Sequence, residues 1–472
     1  MPKREDLKKI LVIGSGPVVI GQAAEFDYAG TQACLALKEV GYEVILVNSN
    51  PATIMTDKLM ADKVYMEPLT IDYIAKIIRK ERPDGIIPGL GGQTGLNMAV
   101  ELAEKGILDE CQVELLGTPL SSIKSAEDRE EFRQLCFNID EPIIDSKICN
   151  TVEEGLEIAK EIGYPVVLRP AFTLGGTGGG FAYTEEECKN ILGVALEISP
   201  ANQVLVEKSL LGYEEIEFEV IRDNDDNAII ICDMENIDPV GIHTGDSIVV
   251  APTKTVPKDT LEMLASSALK IIKSLKIAGG CNIQYALKPN SKDYYLIEIN
   301  PRVSRSSALA SKATSYPIAR VTTLVACGFR LDEIKINDTT AARPPKVDYT
   351  VLKVSRFPFD KFFSANRKLG TQMKATGEVM SIGLSFEEAL LKSLRSLEYN
   401  YDYLDYTPKA NESDEDLLAR VKDADDERIF IIGYLLRKGI SVDKICELSK
   451  ITPWFIEQIK KVIDFEKELS LE

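Results

Sequence analysis

Four polar side chains recur at two-residue spacing on two neighbouring segments: Asn282 and Gln284, then Glu298 and Asn300. On extended strands this spacing puts both members of each pair on one face. The segments 281–287 and 294–299 flank Pro289-Asn-Ser-Lys-Asp293, a hairpin turn by composition, and pairing would bring the four side chains together. Amide and carboxylate oxygens are what a hard cation such as Mg²⁺ takes alongside phosphate oxygens. Arg302 and Arg305 follow directly and add positive charge beside such a site. Alone, this cluster reads equally well as two exposed strand faces.

A second cluster decides between those readings. Arg169-Pro-Ala-Phe-Thr-Leu-Gly175-Gly176-Thr-Gly178-Gly179-Gly180 places five glycines in six positions between two apolar strands. Backbone amides without a Cβ can approach a triphosphate closely, and Arg169 can fork onto phosphate oxygens. A purely flexible surface hairpin would carry the entropy cost of those glycines for nothing. The two clusters together select a Mg–nucleotide site. The loop Gly241-Ile-His243-Thr-Gly-Asp246-Ser247 holds the single His of the chain. A lone His is more often structural, but glycines flank this one and no apolar stripe includes it, which tips it toward function. Arg129, in Ala126-Glu-Asp-Arg-Glu-Glu-Phe-Arg133, reads by spacing as part of a solvated helix face. Gly14-Ser-Gly16-Pro-Val-Val-Ile-Gly21 resembles a dinucleotide fingerprint with the wrong spacing, and the next strand ends in Asn48, not an acid. A tight turn without a cofactor is the better reading. The turns Asn48-Ser-Asn-Pro51 and Gly89-Leu-Gly-Gly92 end strands, where open α/β sheets face a ligand or another domain.

These residues need a scaffold, and 472 residues provide for two to four domains with large cores. With 45% hydrophobic and 27% charged residues the composition is globular. The formal charge of −19 argues against a broad nucleic-acid-binding surface but leaves room for a local phosphate nest. One His excludes a multi-His metal site. Nine cysteines without a CxxC unit predict reduced, buried thiols and a cytoplasmic protein. No apolar run reaches membrane-spanning length, and residues 10–21, interrupted by Gly14, Gly16 and Pro17, suit a strand and turn better than a signal peptide.

Strand signals at 9–14, 43–48, 85–88 and 114–117 alternate with helical ones at 21–40 and 73–81, predicting a parallel sheet covered on both faces. A charged helix follows over 119–137. Strands at 165–169, 180–183, 203–207, 216–222, 228–234, 281–287 and 294–299, with a helix at 259–275, predict a mixed α+β domain. Beyond Gly383 the chain turns helical, at 385–397, 413–422, 424–438, 442–449 and 453–468, with 399–411 the most linker-like stretch.

Several long, uncommon strings match one family. They are Gly16-Pro-Val-Val-Ile-Gly-Gln22, Glu25-Phe-Asp-Tyr28, Val47-Asn-Ser-Asn-Pro-Ala-Thr-Ile-Met-Thr56, Gly91-Gly-Gln-Thr94, Gly241-Ile-His-Thr-Gly-Asp-Ser247, and the run from Glu298-Ile-Asn-Pro-Arg-Val-Ser-Arg305 to Thr314. Over essentially its whole length the chain resembles the amino-terminal half of the large subunit of carbamoyl phosphate synthetase, an ATP-grasp enzyme. The resemblance implies a Rossmann-like pre-ATP-grasp domain (1–118), an ATP-grasp domain (119–398, with its glycine-loop subdomain at about 145–210) and a partial helical oligomerisation region (399–472). It implies an α/β and α+β protein that phosphorylates bicarbonate with ATP and passes carboxyphosphate to ammonia.

The resemblance also implies roles. Arg129, Arg169, Gly175, Gly176, Gly241, Ile242 and His243 surround the phosphates; Lys208 and Leu210 meet adenine through their backbone, and Glu215 the ribose. Gln284, Glu298 and Asn300 hold two divalent ions, Mg²⁺ or Mn²⁺; Arg302 and Arg305 sit at the bicarbonate end; Glu215, Asn236, Asp238 and Ser247 hold K⁺. His243 acts as a hydrogen-bonding group and not a nucleophile, and closure of the glycine loop shields the mixed anhydride from water. The implied partners are a glutaminase small subunit and the remaining half of the large subunit, with no nucleic acid and no membrane, and assembly through the C-terminal helices. Position 208 is Lys where some relatives have Glu, a neutral change if the contact is through the backbone. The chain is expected to be a truncated large subunit or one piece of a split one. Competing expectations are a docking fragment that does not turn over, or another ATP-grasp ligase such as a biotin carboxylase.

Overall fold

The computed structural model describes residues 4–17, 23–170, 178–199, 201–399, 401 and 403–470, with the side chains of 23–26, 127 and 129 outside that description. The chain opens as β1 (Lys9–Ile13), α1 (Ala23–Glu39), β2 (Glu43–Val47), β3 (Lys63–Tyr65), α2 (Ile71–Glu81), β4 (Gly85–Ile87), α3 (Gly92–Glu104), α4 (Ile107–Cys111) and β5 (Glu114–Leu115). The strands form a parallel sheet in the order β3-β2-β1-β4-β5. Alternation splits each strand between two cores: Ile10, Val12, Val44 and Leu46 face α1, whereas Leu11, Ile13 and Ile45 face α2 and α3. The turns at the carboxyl ends of β1 and β4 meet backbone to backbone, since a Cβ on Gly91 would strike the carbonyl oxygens of Ile13 and Gly14. Asn48 closes the same corner by accepting from the Gly16 amide at 2.9 Å.

The charged helix expected over 119–137 is two helices, α5 (Leu120–Glu127) and α6 (Arg129–Asn138). The break is at Asp128, extended at ψ 125°, whose carboxylate caps α6 by accepting from the amides of Glu130 and Glu131. Next come β6 (Ser146–Cys149), α7 (Val152–Ile162), β7 (Val166–Pro170), β8 (Gly180–Ala182), α8 (Glu185–Ile198) and β9 (Val204–Lys208). They make an antiparallel sheet, β6-β9-β7-β8, with its own core under α7 and α8. Neither helix was expected, although both start in a Thr-x-x-Glu signature: Thr151 caps the Glu154 amide and Thr184 the Glu187 amide.

The largest sheet uses β10 (Glu214–Arg222), β11 (Ala228–Asn236), β12 (Val249–Ala251), β13 (Gly279–Leu287), β14 (Tyr294–Asn300), β17 (Thr350–Arg356) and β18 (Gly377–Gly383); a ribbon of β15 (Lys335–Ile336) and β16 (Thr339–Thr340) stands apart. Its order is β14-β13-β10-β11-β12-β17-β18, antiparallel throughout. Helix α9 (Lys258–Ser274) packs on one side of the β10-β13-β14 part. On the other side α10 (Arg305–Thr314) and α11 (Ile318–Ala326) bury residues in the same core as β1, β2 and α1, so this core crosses position 118 without a seam. Helices α12 (Phe386–Ser396), α13 (Asp414–Asp423), α14 (Arg428–Arg437), α15 (Val442–Ser449) and α16 (Pro453–Leu469) share a core with β12 and β17. Helix α14 starts later than expected because Ala424 is left-handed at φ 55° and ends α13 first. All nine cysteines are free thiols, eight of them buried. No helix among the described residues is long and apolar enough to cross a membrane.

Candidate active site

The hairpin of β13 and β14 pairs Asn282 with Asn300 and Gln284 with Glu298. Strand β10 lies on the other side of β13 and sets Glu217 opposite Gln284 and Glu219 opposite Asn282. Asn282, fully buried, is the hub. Its amide nitrogen donates to Glu217 Oε2 at 3.1 Å and to Glu219 Oε1 at 3.0 Å. Its oxygen accepts from Gln284 Nε2 at 3.1 Å and from Asn300 Nδ2 at 3.5 Å. Both amides are thereby turned with nitrogen inward, leaving their oxygens to face elsewhere. Ser306 donates to Glu217 at 2.7 Å and Ser307 to Glu219 at 2.9 Å, and burial pushes the Glu219 carboxyl up to about 8. The Glu215-Ile-Glu217-Phe-Glu219 alternation is the sequence signal for this acidic face of β10, of which the family resemblance implies a role for Glu215 alone.

At the end of β14, Arg302 spans two domains. Its Nε donates to Gln93 Oε1 at 3.2 Å, and its Nη2 to Asn300 Oδ1 at 3.3 Å. Gln93 lies in the first turn of α3, directly after the Gly89–Gly92 turn expected to face a ligand or another domain; it meets Arg302 and lines the cleft. Arg305 begins α10 and points its Nη1 at Met373 Sδ, 2.8 Å away.

Gly241, Ile242 and His243 lie on the β11–β12 connection. Gly241 takes φ +119°, and a Cβ there would sit 2.8 Å from Leu211 Cδ2. His243 Nδ1 accepts from the Gly245 amide at 2.9 Å, which puts the ring proton on Nε2. Burial first, then Arg305 and Lys353, lower its pKa to about 4, so the ring is a neutral Nε2–H donor at pH 7. Lys353, wholly buried on β17, donates to the carbonyls of Thr244 (2.9 Å) and Gly245 (3.3 Å).

A cleft of about 910 Å³ joins these elements, lined among others by Arg169, Lys208, Leu210, Glu215, His243 and Glu298. Gln93, Gln284, Asn300, Arg302, Gly241 and Ile242 also line it. Arg169 pairs with Glu207 at 2.8 Å. The Lys208 ammonium lies over the Tyr295 ring, 5.8 Å from its centre, while its amide bonds to the Asp145 carbonyl at 2.9 Å. Gly175, Gly176 and the Arg129 side chain lie outside the described residues.

The donor set fits hard cations. Gln284, Glu298 and Asn300 converge on the cleft, and Glu215 is held well above the usual carboxylate range by burial, then by Glu217 and Glu298. Asn236 donates to Glu217 at 2.8 Å, yet its buried Oδ1 has no hydrogen-bond donor, an orphan that a cation would satisfy. Asp238 is engaged differently from expectation. Both its oxygens take the Arg428 guanidinium, and Oδ2 also accepts from Ser247 at 3.0 Å. A cation near it would therefore rest on Glu215, Asn236 and Ser247.

Three family profiles match in succession: the carbamoyl phosphate synthase preATP-grasp domain over residues 6–125, the carbamoyl-phosphate synthase L chain ATP binding domain over 128–334, and the carbamoyl-phosphate synthetase large chain oligomerisation domain over 378–472. The chain belongs to the carbamoyl-phosphate synthase large-chain family, as its amino-terminal half. This synthase half is an ATP-grasp ligase, built for a role within the synthase complex. Solved structures share its fold. A biotin carboxylase from Campylobacter jejuni, crystallised with β,γ-ATP, is 18% identical (TM-score 0.62, covering 82% of this chain and 90% of that one). The biotin carboxylase domain of 2-oxoglutarate carboxylase from Hydrogenobacter thermophilus, in complex with MgADP, ADP and bicarbonate, is 20% identical (TM-score 0.62, 84% and 90%). The ADP complex of an N5-carboxyaminoimidazole ribonucleotide synthetase is 16% identical (TM-score 0.59, 83% and 96%).

Proposed function

We propose that this chain phosphorylates bicarbonate with ATP and directs ammonia onto the product, the opening steps of carbamoyl phosphate synthesis for pyrimidine and arginine biosynthesis. A bicarbonate oxygen attacks the γ-phosphorus and ADP leaves, giving carboxyphosphate. Ammonia then attacks the carboxyl carbon, phosphate leaves and a proton is released, giving carbamate. The observation that carries this reading is the hairpin register, which aligns Gln284, Glu298 and Asn300 beside Arg302.

Phosphoryl transfer asks a protein mainly for alignment and charge neutralisation. Lys208 and Leu210 meet adenine, Glu215 the ribose, and Arg129, Arg169, Gly175, Gly176, Gly241 and Ile242 the phosphates. His243 donates from Nε2 to phosphate without carrying charge, because Gly245 holds its other nitrogen. Arg302, fixed between Gln93 and Asn300, presents a guanidinium to bicarbonate, and Arg305, three residues on and turned toward Met373, adds positive charge at that end. Divalent ions on Gln284, Glu298 and Asn300, two of Mg²⁺ or Mn²⁺, would neutralise charge developing on the transferred phosphate. K⁺ would sit by the orphan Asn236 oxygen with Glu215 and Ser247. A glutaminase small subunit supplies ammonia, the other half of the large subunit consumes carbamate, the C-terminal helices serve assembly, and the setting is cytoplasmic.

Bicarbonate-dependent ATP hydrolysis, with and without ammonia, tests this. Glu298→Ala and Arg302→Ala are expected to abolish it, by on the order of 100-fold or more. Hydrolysis indifferent to bicarbonate in a folded protein would overturn the reading. Absence of Mg-ATP binding in calorimetry would favour a docking fragment.

A further inference from the structure

The loop carrying His243 is closed at its base by the Ile237 amide on the Ile248 carbonyl at 2.8 Å and by one buried carboxylate. Asp238, 2% exposed, accepts from Ser247 Oγ (3.0 Å) and the Ile248 amide (3.4 Å), drawing the two ends of the β11–β12 connection together. The counter-charge comes from far along the chain. Arg428, first residue of α14 and 5% exposed, donates Nε to Asp238 Oδ1 at 2.8 Å and Nη2 to Oδ2, and spends Nη1 on the Asp425 carbonyl at 3.0 Å. A planar fork on a buried carboxylate fixes direction as well as charge. The helical region touches the catalytic sheet again where Thr452 donates to Glu214 of β10 at 2.9 Å.

We propose that Arg428 is a positioning residue for the nucleotide site, so that the C-terminal helical region, matched as an oligomerisation domain, also holds the Gly241–His243 loop in its phosphate-binding geometry. This rests on the reading of that loop as a phosphate binder. Assembly alone does not require a buried guanidinium aimed at this loop's base. A surface pair would contribute little, whereas an unpartnered buried Asp238 would repel the anionic ligand and release the loop.

The test is Mg-ATP binding by calorimetry, with thermal melting, on the full chain. Arg428→Met risks misfolding by stranding Asp238. The pair Asp238→Asn with Arg428→Met removes both charges and protects the fold while freeing the loop. Arg428→Lys keeps charge without the fork. Arg437→Met, which breaks the pair with Glu466 in the same helical region and touches neither Asp425 nor Asp238, is the control for stability alone. The expected result is at least a tenfold weaker Kd in the double variant at near-normal melting temperature, an intermediate loss in Arg428→Lys and an unchanged Kd in Arg437→Met. Wild-type affinity in the double variant, or losses that follow melting temperature across all variants, would overturn the proposal. A failure to need bicarbonate would sink the reaction proposed above while leaving this measurement standing.

Discussion

Asn282 and Asn300 face each other across the β13–β14 hairpin, and Asn282 Oδ1 accepts from both Asn300 and Gln284. One buried carbonyl thus orients two amides that line the cleft. Asn282→Ala should free both amides and remove one donor from each of Glu217 and Glu219, leaving Glu217 to Asn236 and Ser306 and Glu219 to Ser307. We expect bicarbonate-dependent ATPase to fall by about 10- to 100-fold and stability by about 3 kcal/mol, read by steady-state kinetics and urea denaturation.

Gln93 reaches Arg302 from a different domain. Gln93→Ala should loosen the guanidinium without unfolding either sheet. KM for bicarbonate should rise several-fold with stability changed by no more than about 1 kcal/mol. An unchanged KM would show that Asn300 alone suffices to aim Arg302.

His243 has its pKa lowered from 6.5 to about 4. Between those values the unfolded chain binds the proton and the folded protein does not. Stability should therefore be complete above about pH 6.5, fall as pH drops toward 4 and level off below. His243→Gln keeps a neutral N–H donor and removes the titration. It should flatten that limb of the Tm–pH curve and retain more activity than His243→Ala.

Gly241 holds φ +119° beside Leu211 and Phe181. Gly241→Ala should cost about 1–3 kcal/mol locally and raise KM for Mg-ATP about tenfold, because the loop must shift to admit the methyl group. Kinetics at varied Mg-ATP concentration read this directly.

Burial pushes the Cys34, Cys136 and Cys327 thiols up to about 12 and Cys446 to about 11. Cys446 alone is half-buried. In the native protein a thiol reagent should modify at most Cys446, slowly, and all nine sites only after denaturation.

The sequence by itself determined the local pieces of this protein. Runs such as residues 10–13 and 44–47 are apolar on both faces, the pattern of buried parallel strands. The two-residue spacing of Asn282, Gln284, Glu298 and Asn300 around a turn dictates a shared face, and the hairpin has that register. The long shared strings carried the family. The helices α7 and α8 are not legible in the apolar pattern although their Thr caps are, because Gly155 and Gly193 in their interiors weaken a short helical signal set between strands. The helix expected over 119–137 broke because an Asp128 cap outweighed continuity of propensity. What only the tertiary structure decided is who stands behind the site. Gln93 on Arg302, Lys353 on the Thr244 carbonyl and Arg428 on Asp238 join residues 109 to 209 positions apart. No spacing rule reaches that far. Such partners are selected by where a buried charge finds its only counter-charge once sheets and helices have packed, and that is a property of the assembled core.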